Sequence, residues 1–164
     1  MKIETQLNVY LMFLFPRLTY PIKERSIQLI DFGVSIDLHL FKKGHTFNYV
    51  HNEDTFKCAE MREGRPWTYQ LDLYGLAGVI HVLLLGKYMD VEKRSNGSWM
   101  HKSHMPRYFR KSLWETIFVE LLNIRDCNTM PNLQNLRALL KEEIEEKEKY
   151  VLQKLHEFNL ALSS

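Results

Sequence analysis

The sequence predicts a mainly α-helical domain with a few short strands. Two observations carry that expectation. Apolar residues recur at three- and four-residue spacing through three segments from Gln70 onward, whereas strand-like alternation is confined to short runs before Phe41. The 164 residues, 45% hydrophobic and 26% charged, have the composition of one domain with its own core.

The elements follow in order. Residues 1–20 are apolar and aromatic-rich without a clear period, and Val9 to Phe15 reads as a short strand stopped by Pro16. Pro21 to Ser26 is a polar turn or loop, and Ser26 to Ile30 a buried strand ending at Asp31-Phe32-Gly33. Val34 to Leu40 alternates partially, as a half-buried strand or a short helix would. Phe41 to Thr55 is polar and reads as a long exposed loop, a kind of segment that tends to be functional.

Gln70 to Gly86 is the strongest helix, with Leu73, Leu76, Ala77, Ile80, Leu83 and Leu84 at helical spacing and Gly86 as its stop. Apolar nearly all round, it is expected in the core. Val91 to Arg107 is polar, with a turn at Ser95-Asn96-Gly97-Ser98. Leu113 to Asn123 is a helix with Trp114, Ile117, Phe118 and Leu121 on its apolar stripe, ended by Asn128 to Pro131. Leu133 to Leu162 carries Leu133, Leu136, Leu140, Ile144, Val151, Leu155, Phe158 and Leu162 opposite a Glu/Lys-rich face. An amphipathic helix packed on the parent domain is the simpler expectation; a coiled-coil partner site is the sharper one.

Composition excludes several classes. A net charge of +2, from 22 basic and 20 acidic residues, gives no argument for nucleic acid as the main partner. Cys58 and Cys127 make neither a disulfide framework nor a CxxC metal site, which favours a reducing intracellular compartment. Glu4 and the lack of a small-residue cleavage site argue against reading Val9 to Phe15 as a secretory leader. The longest apolar run, Leu71 to Leu85, is interrupted by Asp72, Gly75, Gly78 and His81 and falls short of the about 20 residues a bilayer needs.

The residue with the strongest chemical claim is Asp31. An apolar strand ending in Asp-Phe-Gly resembles the way a protein kinase presents a magnesium-binding carboxylate beside ATP. Two later positions strengthen the likeness. Cys58-Ala59-Glu60-Met61 stands where kinases close the activation segment with Ala-Pro-Glu. Asp72, in Gln70-Leu71-Asp72-Leu73-Tyr74-Gly75, matches the aspartate that opens the central kinase helix and braces the catalytic loop. An acidic residue there also suits the helix dipole, and as a buried group it would need hydrogen-bond partners.

In detail the blocks Asp31 to Phe41, Phe56 to Met61, Pro66 to Gly75 and Leu122 to Cys127 resemble the Bub family (budding uninhibited by benzimidazoles) of mitotic spindle-checkpoint kinases, from about Ser26 to the C-terminus. The resemblance implies the C-terminal lobe of a protein-kinase-like fold over 26–164, with 1–25 poorly matched. The activation segment would be 31–60, the core helix 70–86 and the C-terminal helices 113–162. It implies a serine/threonine kinase of the checkpoint that delays anaphase, with kinetochore and checkpoint proteins as partners and a nuclear or cytoplasmic location, at kinetochores in mitosis. ATP and Mg2+ would be cofactors of the intact family member, held by Asp31, Phe32 and Gly33 with Asp31 on the metal. Glu60 and Asp72 would be structural supports. Neither nucleic acid nor membrane is expected as a partner.

The chain departs from the kinase pattern in ways the resemblance covers and in ways it does not. Met130 replaces the arginine that usually pairs with the Ala-Pro-Glu glutamate, and Ala59 replaces the proline, both as in the Bub family. Upstream of Asp31 nothing reads as a catalytic His-x-Asp loop; Asn8 stands at a workable distance for its metal-binding asparagine, but Ile3 occupies the place of the catalytic aspartate. No catalytic residue is therefore assigned, and the chain alone is expected to be inactive. The non-catalytic alternative is a pseudokinase-like scaffold that binds kinetochore proteins.

Weaker candidates remain. His101-x-x-His104 is a possible metal pair, with two surface histidines as the default. Arg107, Arg110 and Lys111, with Tyr108 and Phe109, form a solvated helix start or touch an acidic partner, and Lys42-Lys43 has the same standing. Ser35, Thr46 and Thr55 are possible phosphate acceptors.

Overall fold

A computed structural model describes residues 35–48 and 56–163. The strands expected at Val9 to Phe15 and Ser26 to Ile30, together with Ile3, Asn8, Asp31, Phe32, Gly33 and Thr55, lie outside the described residues. The chain divides into two units, Met1–Thr68 and Tyr69–Ser164.

In the first unit Leu38–Leu40 is a single 3-10 turn, with Leu38 and Leu40 exposed. The half-buried strand considered for Val34 to Leu40 is thus not what its described part forms. The reason is local: the Asp37 side chain accepts the His39 amide at 2.9 Å, an N-cap that diverts the chain from extended pairing. The loop that follows is not wholly solvent-borne. Phe47 is buried, and it and Trp67 exchange both backbone hydrogen bonds at 2.9 Å. Phe41 stacks on His45 at 4.8 Å, and Phe47 lies 5.1 Å from the Trp67 ring. Lys42 and Lys43 remain exposed. A short helix, α1 (Ala59–Arg62), follows.

The second unit opens with α2 (Gln70–Leu85), close to its expected bounds. Gly86 ends it at φ 68°, donating to the Val82 carbonyl at 2.8 Å, a left-handed cap that glycine adopts cheaply. Next come β1 (Val91–Lys93) and β2 (Trp99–His101), paired antiparallel with Val91 opposite His101 and Lys93 opposite Trp99. The sequence reading placed only a polar turn region there. Each strand has three residues and only Val91, Met100 and His101 are buried, too few for a periodic signal. The turn is closed by the Arg94 amide on the Ser98 carbonyl at 2.8 Å, with Gly97 at φ 84°.

Helix α3 (Lys111–Leu122) packs on α2 and β2 through Leu113, Ile117, Phe118 and Leu121. Helix α4 (Leu133–Ser163) touches α3 near its start, where Leu136 and Glu143 are buried. Further along, Ile144 is 64% and Val151 52% exposed. The expected packing of its apolar stripe on the parent domain is met at Leu136 and not at Ile144 or Val151, while the side chains of Leu155, Phe158 and Leu162 lie outside the described residues. Among the described residues no helix is long and apolar enough to cross a membrane.

Candidate functional site

Within the first unit, the turn after α1 is built around one buried carboxylate. Cys58, Ala59, Glu60 and Met61 are all buried, and Glu60 keeps 2% of its surface. A carboxylate so placed needs a counter-charge. Arg65 supplies it, with Nη2 3.6 Å from Glu60 Oε1. Arg65 is held there by its own backbone amide, which donates to the Glu60 carbonyl at 2.9 Å, and by Nε, which donates to Glu63 Oε2 at 2.6 Å. Glu60 Oε1 receives no hydrogen bond, so the pair is coulombic. Sequence reasoning assigned this pairing to a lost arginine at Met130 and missed Arg65; the signal was an arginine five residues past the glutamate, across a Glu-Gly turn.

Burial, reinforced by the nearby Glu60 charge, pushes the Cys58 thiol up to about 12. It stays protonated and is no nucleophile. Neither Cys58 nor Cys127 forms a disulfide.

In the second unit, Asp72 occupies the first turn of α2 but is exposed, and its side chain finds no hydrogen-bond partner among the described residues. The catalytic-loop region that Asp72 was expected to brace lies outside the described residues. Leu76 and Leu83, one and three turns on, are also exposed, so the face carrying Asp72 points away from the core formed by Leu73, Tyr74 and Ala77. The apolar neighbours still partly desolvate the carboxyl and raise its pKa above the ordinary value.

The start of α2 is anchored by the residues just before Asp72. The Tyr69 hydroxyl donates to the Thr129 carbonyl at 2.7 Å, and buried Gln70 lies 3.5 Å from Cys127 Sγ. The Asp126 turn they meet is self-fastened. Asp126 Oδ1 accepts from the Thr129 hydroxyl at 2.8 Å and the Asn128 amide at 2.9 Å, while Arg125 Nε meets Oδ2 at 3.0 Å. These bonds, the Thr129 hydroxyl first, hold the Asp126 pKa below the usual carboxylate value. Asn123 ties the hairpin to the end of α3: its Oδ1 accepts the Trp99 amide at 2.6 Å and its Nδ2 donates to the Trp99 carbonyl at 3.0 Å.

The histidines of the second unit are core groups. His81 is fully buried on α2, with Nδ1 2.9 Å from the Lys87 carbonyl and Nε2 2.9 Å from Ser103 Oγ. A carbonyl can only accept, so Nδ1 carries the proton and Ser103 donates to Nε2. His101, 7% exposed, packs edge-on to Phe118 at 4.5 Å and lies 5.3 Å from His81. Burial lowers both imidazole pKa values. His101 is therefore not the surface residue expected, and among the described residues no group of histidine, cysteine or acidic side chains is arranged to hold a metal ion. Arg110 is likewise neither merely solvated nor left for an outside acid: it pairs with Glu143 at 3.3 Å and Glu146 at 3.5 Å, pinning the start of α4.

No protein-family model matches the chain. It is 39% identical over 121 residues to the mitotic checkpoint serine/threonine-protein kinase BUB1 of Mus musculus, covering 74% of this chain and 11% of that protein. To the spindle assembly checkpoint kinase BUB1 of Saccharomyces cerevisiae it is 44% identical over 101 residues, 62% of this chain and 10% of the relative. The chain thus spans about a tenth of the length of these two relatives. The crystal structure of a BubR1 kinase domain superimposes with a TM-score of 0.73 at 65% identity, covering 78% of this chain and 39% of that one. The architecture, half-helical with a short antiparallel hairpin among the described residues, is that of a kinase C-lobe, and the chain belongs to the Bub family of mitotic checkpoint kinases.

Proposed function

We propose that the chain serves as the substrate-platform half of a spindle-checkpoint serine/threonine kinase. The observation that carries this reading is the way the segment after Asp31 is fastened: at Phe47 by the backbone bridge to Trp67, and at Glu60 by Arg65. A segment pinned at two places is the kind of ledge on which a protein substrate's hydroxyl can be held in line for transfer. Asp31 would hold Mg2+ against the ATP phosphates, in the turn shaped by Phe32 and Gly33, once the remaining groups of an ATP site are supplied. The metal's part is to neutralise charge as the phosphoryl group moves; this chain's part is to position it and the substrate. The setting proposed is the kinetochore in mitosis, among checkpoint proteins.

One observation favours a second reading, that of a non-catalytic scaffold. Ile3 stands where the catalytic aspartate would precede Asn8, so the chain's own residues supply no group to orient the attacking hydroxyl. Thermal unfolding with ATP, with and without Mg2+, separates the two. The 164-residue chain should show no magnesium-dependent shift. The same chain joined to a glycine-rich loop, lysine and His-x-Asp loop of a family member should show one, abolished by Asp31→Asn. A joined protein whose shift survives Asp31→Asn would overturn the metal role.

A further inference from the structure

A small open pocket of about 120 Å³ lies between the β1–β2 hairpin and the first turns of α3. Its polar lining is Arg94, His101, Ser103, His104, Lys111 and Glu115. The Arg94 side chain makes no ion pair or hydrogen bond among the described residues, although its backbone closes the hairpin turn. Among the described residues Lys111 is engaged only by Glu115, at 3.8 Å across one exposed helical turn, a weak contact that a stronger anion can displace. The uncommitted charge at the rim is therefore positive.

The inner wall is fixed and uncharged. Ser103 spends its proton on His81 and cannot donate into the pocket, while His101 is held neutral by burial beside His81. Donors into the space come from Arg94, Lys111 and His104. The start of α3 beside it has neither a side-chain cap nor an acidic residue in its first turn, so the helix dipole there favours an anion. The volume is far below the about 300–1,000 Å³ typical of sites for larger ligands, which excludes a nucleotide base and sugar but admits one phosphoryl group with water. A forked guanidinium beside an ammonium suits the two negative charges and three oxygens of a phosphate monoester better than a single carboxylate.

We propose that this pocket binds a phosphorylated serine or threonine side chain of a partner protein. The test uses the full 164-residue chain, a fluorescein-labelled phosphoserine peptide library with mixed flanks, its unphosphorylated counterpart, and inorganic phosphate as competitor. The phosphopeptides should bind and shift the Arg94 Nε–H resonance, and the unphosphorylated library should not bind. Arg94→Ala and Lys111→Ala, both at exposed positions, should each weaken binding about tenfold, the value of one lost charge-assisted hydrogen bond. Glu115→Gln should tighten it, since it removes the one opposing charge. Equal binding of both libraries, no binding, or indifference to Arg94→Ala would overturn the proposal. So would inorganic phosphate matching the phosphopeptides in affinity, which would mark an adventitious ion only.

Discussion

The turn after α1 and the first turn of α2 each carry one of the two acidic residues that the kinase pattern marks as structural, and the fold treats them in opposite ways. Glu60 is sealed from water beside Arg65. Asp72 is exposed, though partly desolvated, and has no side-chain partner among the described residues. The lesson is that a motif fixes residue type, whereas the energetic role follows from what the neighbouring backbone brings within reach. Glu60 has an arginine delivered by a tight turn whose amide bonds its own carbonyl. Asp72 has only Leu76 and Leu83 on its face, which cost its charge something and give nothing back.

The largest expected effect breaks the first half of that comparison. Arg65→Ala strands a buried carboxylate and should destabilise the chain by about 2–3 kcal/mol, the lower range for a broken buried pair because Arg65 itself is 37% exposed. Urea unfolding measures it, and the double variant Glu60→Gln/Arg65→Ala should recover part of the loss. An unchanged midpoint for Arg65→Ala would remove the pair's structural role.

A smaller effect concerns buried titratable groups that are kept neutral rather than paired. The folded pKa values of His81 and His101 lie below the ordinary 6.5, so the unfolded chain takes up their protons first. Their contribution to stability is complete above about pH 6.5 and falls away as pH drops through the lowered folded values. Urea midpoints at pH 7.5 and 5.5 should therefore differ, with the acidic one lower, and His101→Phe should reduce the difference. A flat profile between those pH values would contradict the buried-neutral assignment.

The smallest effect sharpens the second half. Asp72→Asn should change stability by no more than about 0.5 kcal/mol at pH 7, in the stabilising direction, as for an exposed site. Because the folded Asp72 pKa is raised, its charged form disfavours folding, and that small penalty vanishes as pH falls through the raised value. A loss well above 1 kcal/mol on Asp72→Asn would reinstate the brace.

Much of the helical framework could be read from sequence for identifiable reasons. α2 and α3 have long apolar periods, and Gly86 marks one stop in a left-handed geometry that glycine adopts cheaply. The hairpin could not, since three-residue strands with three buried side chains leave no period to detect. His81 and His101 were unreadable as core groups because their burial depends on partners 6 to 22 residues away, Lys87 and Ser103, and on the Phe118 ring. The Glu60 partner was hidden by expectation: the family pattern directed attention to position 130, while the arginine that answers the charge sits five residues on. In α4 the sequence showed a stripe but not where its packing ends, because the anchor is polar, Arg110 on Glu143 and Glu146.

That anchor has a mechanical consequence. Helix α4 continues for 20 residues from Glu143 to Ser163, a span of about 30 Å at 1.5 Å per residue. Its far end stands at a set distance from Glu143, roughly the width of a small domain. α4 is in that sense a spacer whose reach is counted in residues, and whose direction is set at its base by Arg110 on Glu143 and Glu146, by Lys147 on the Tyr108 carbonyl and by buried Leu136.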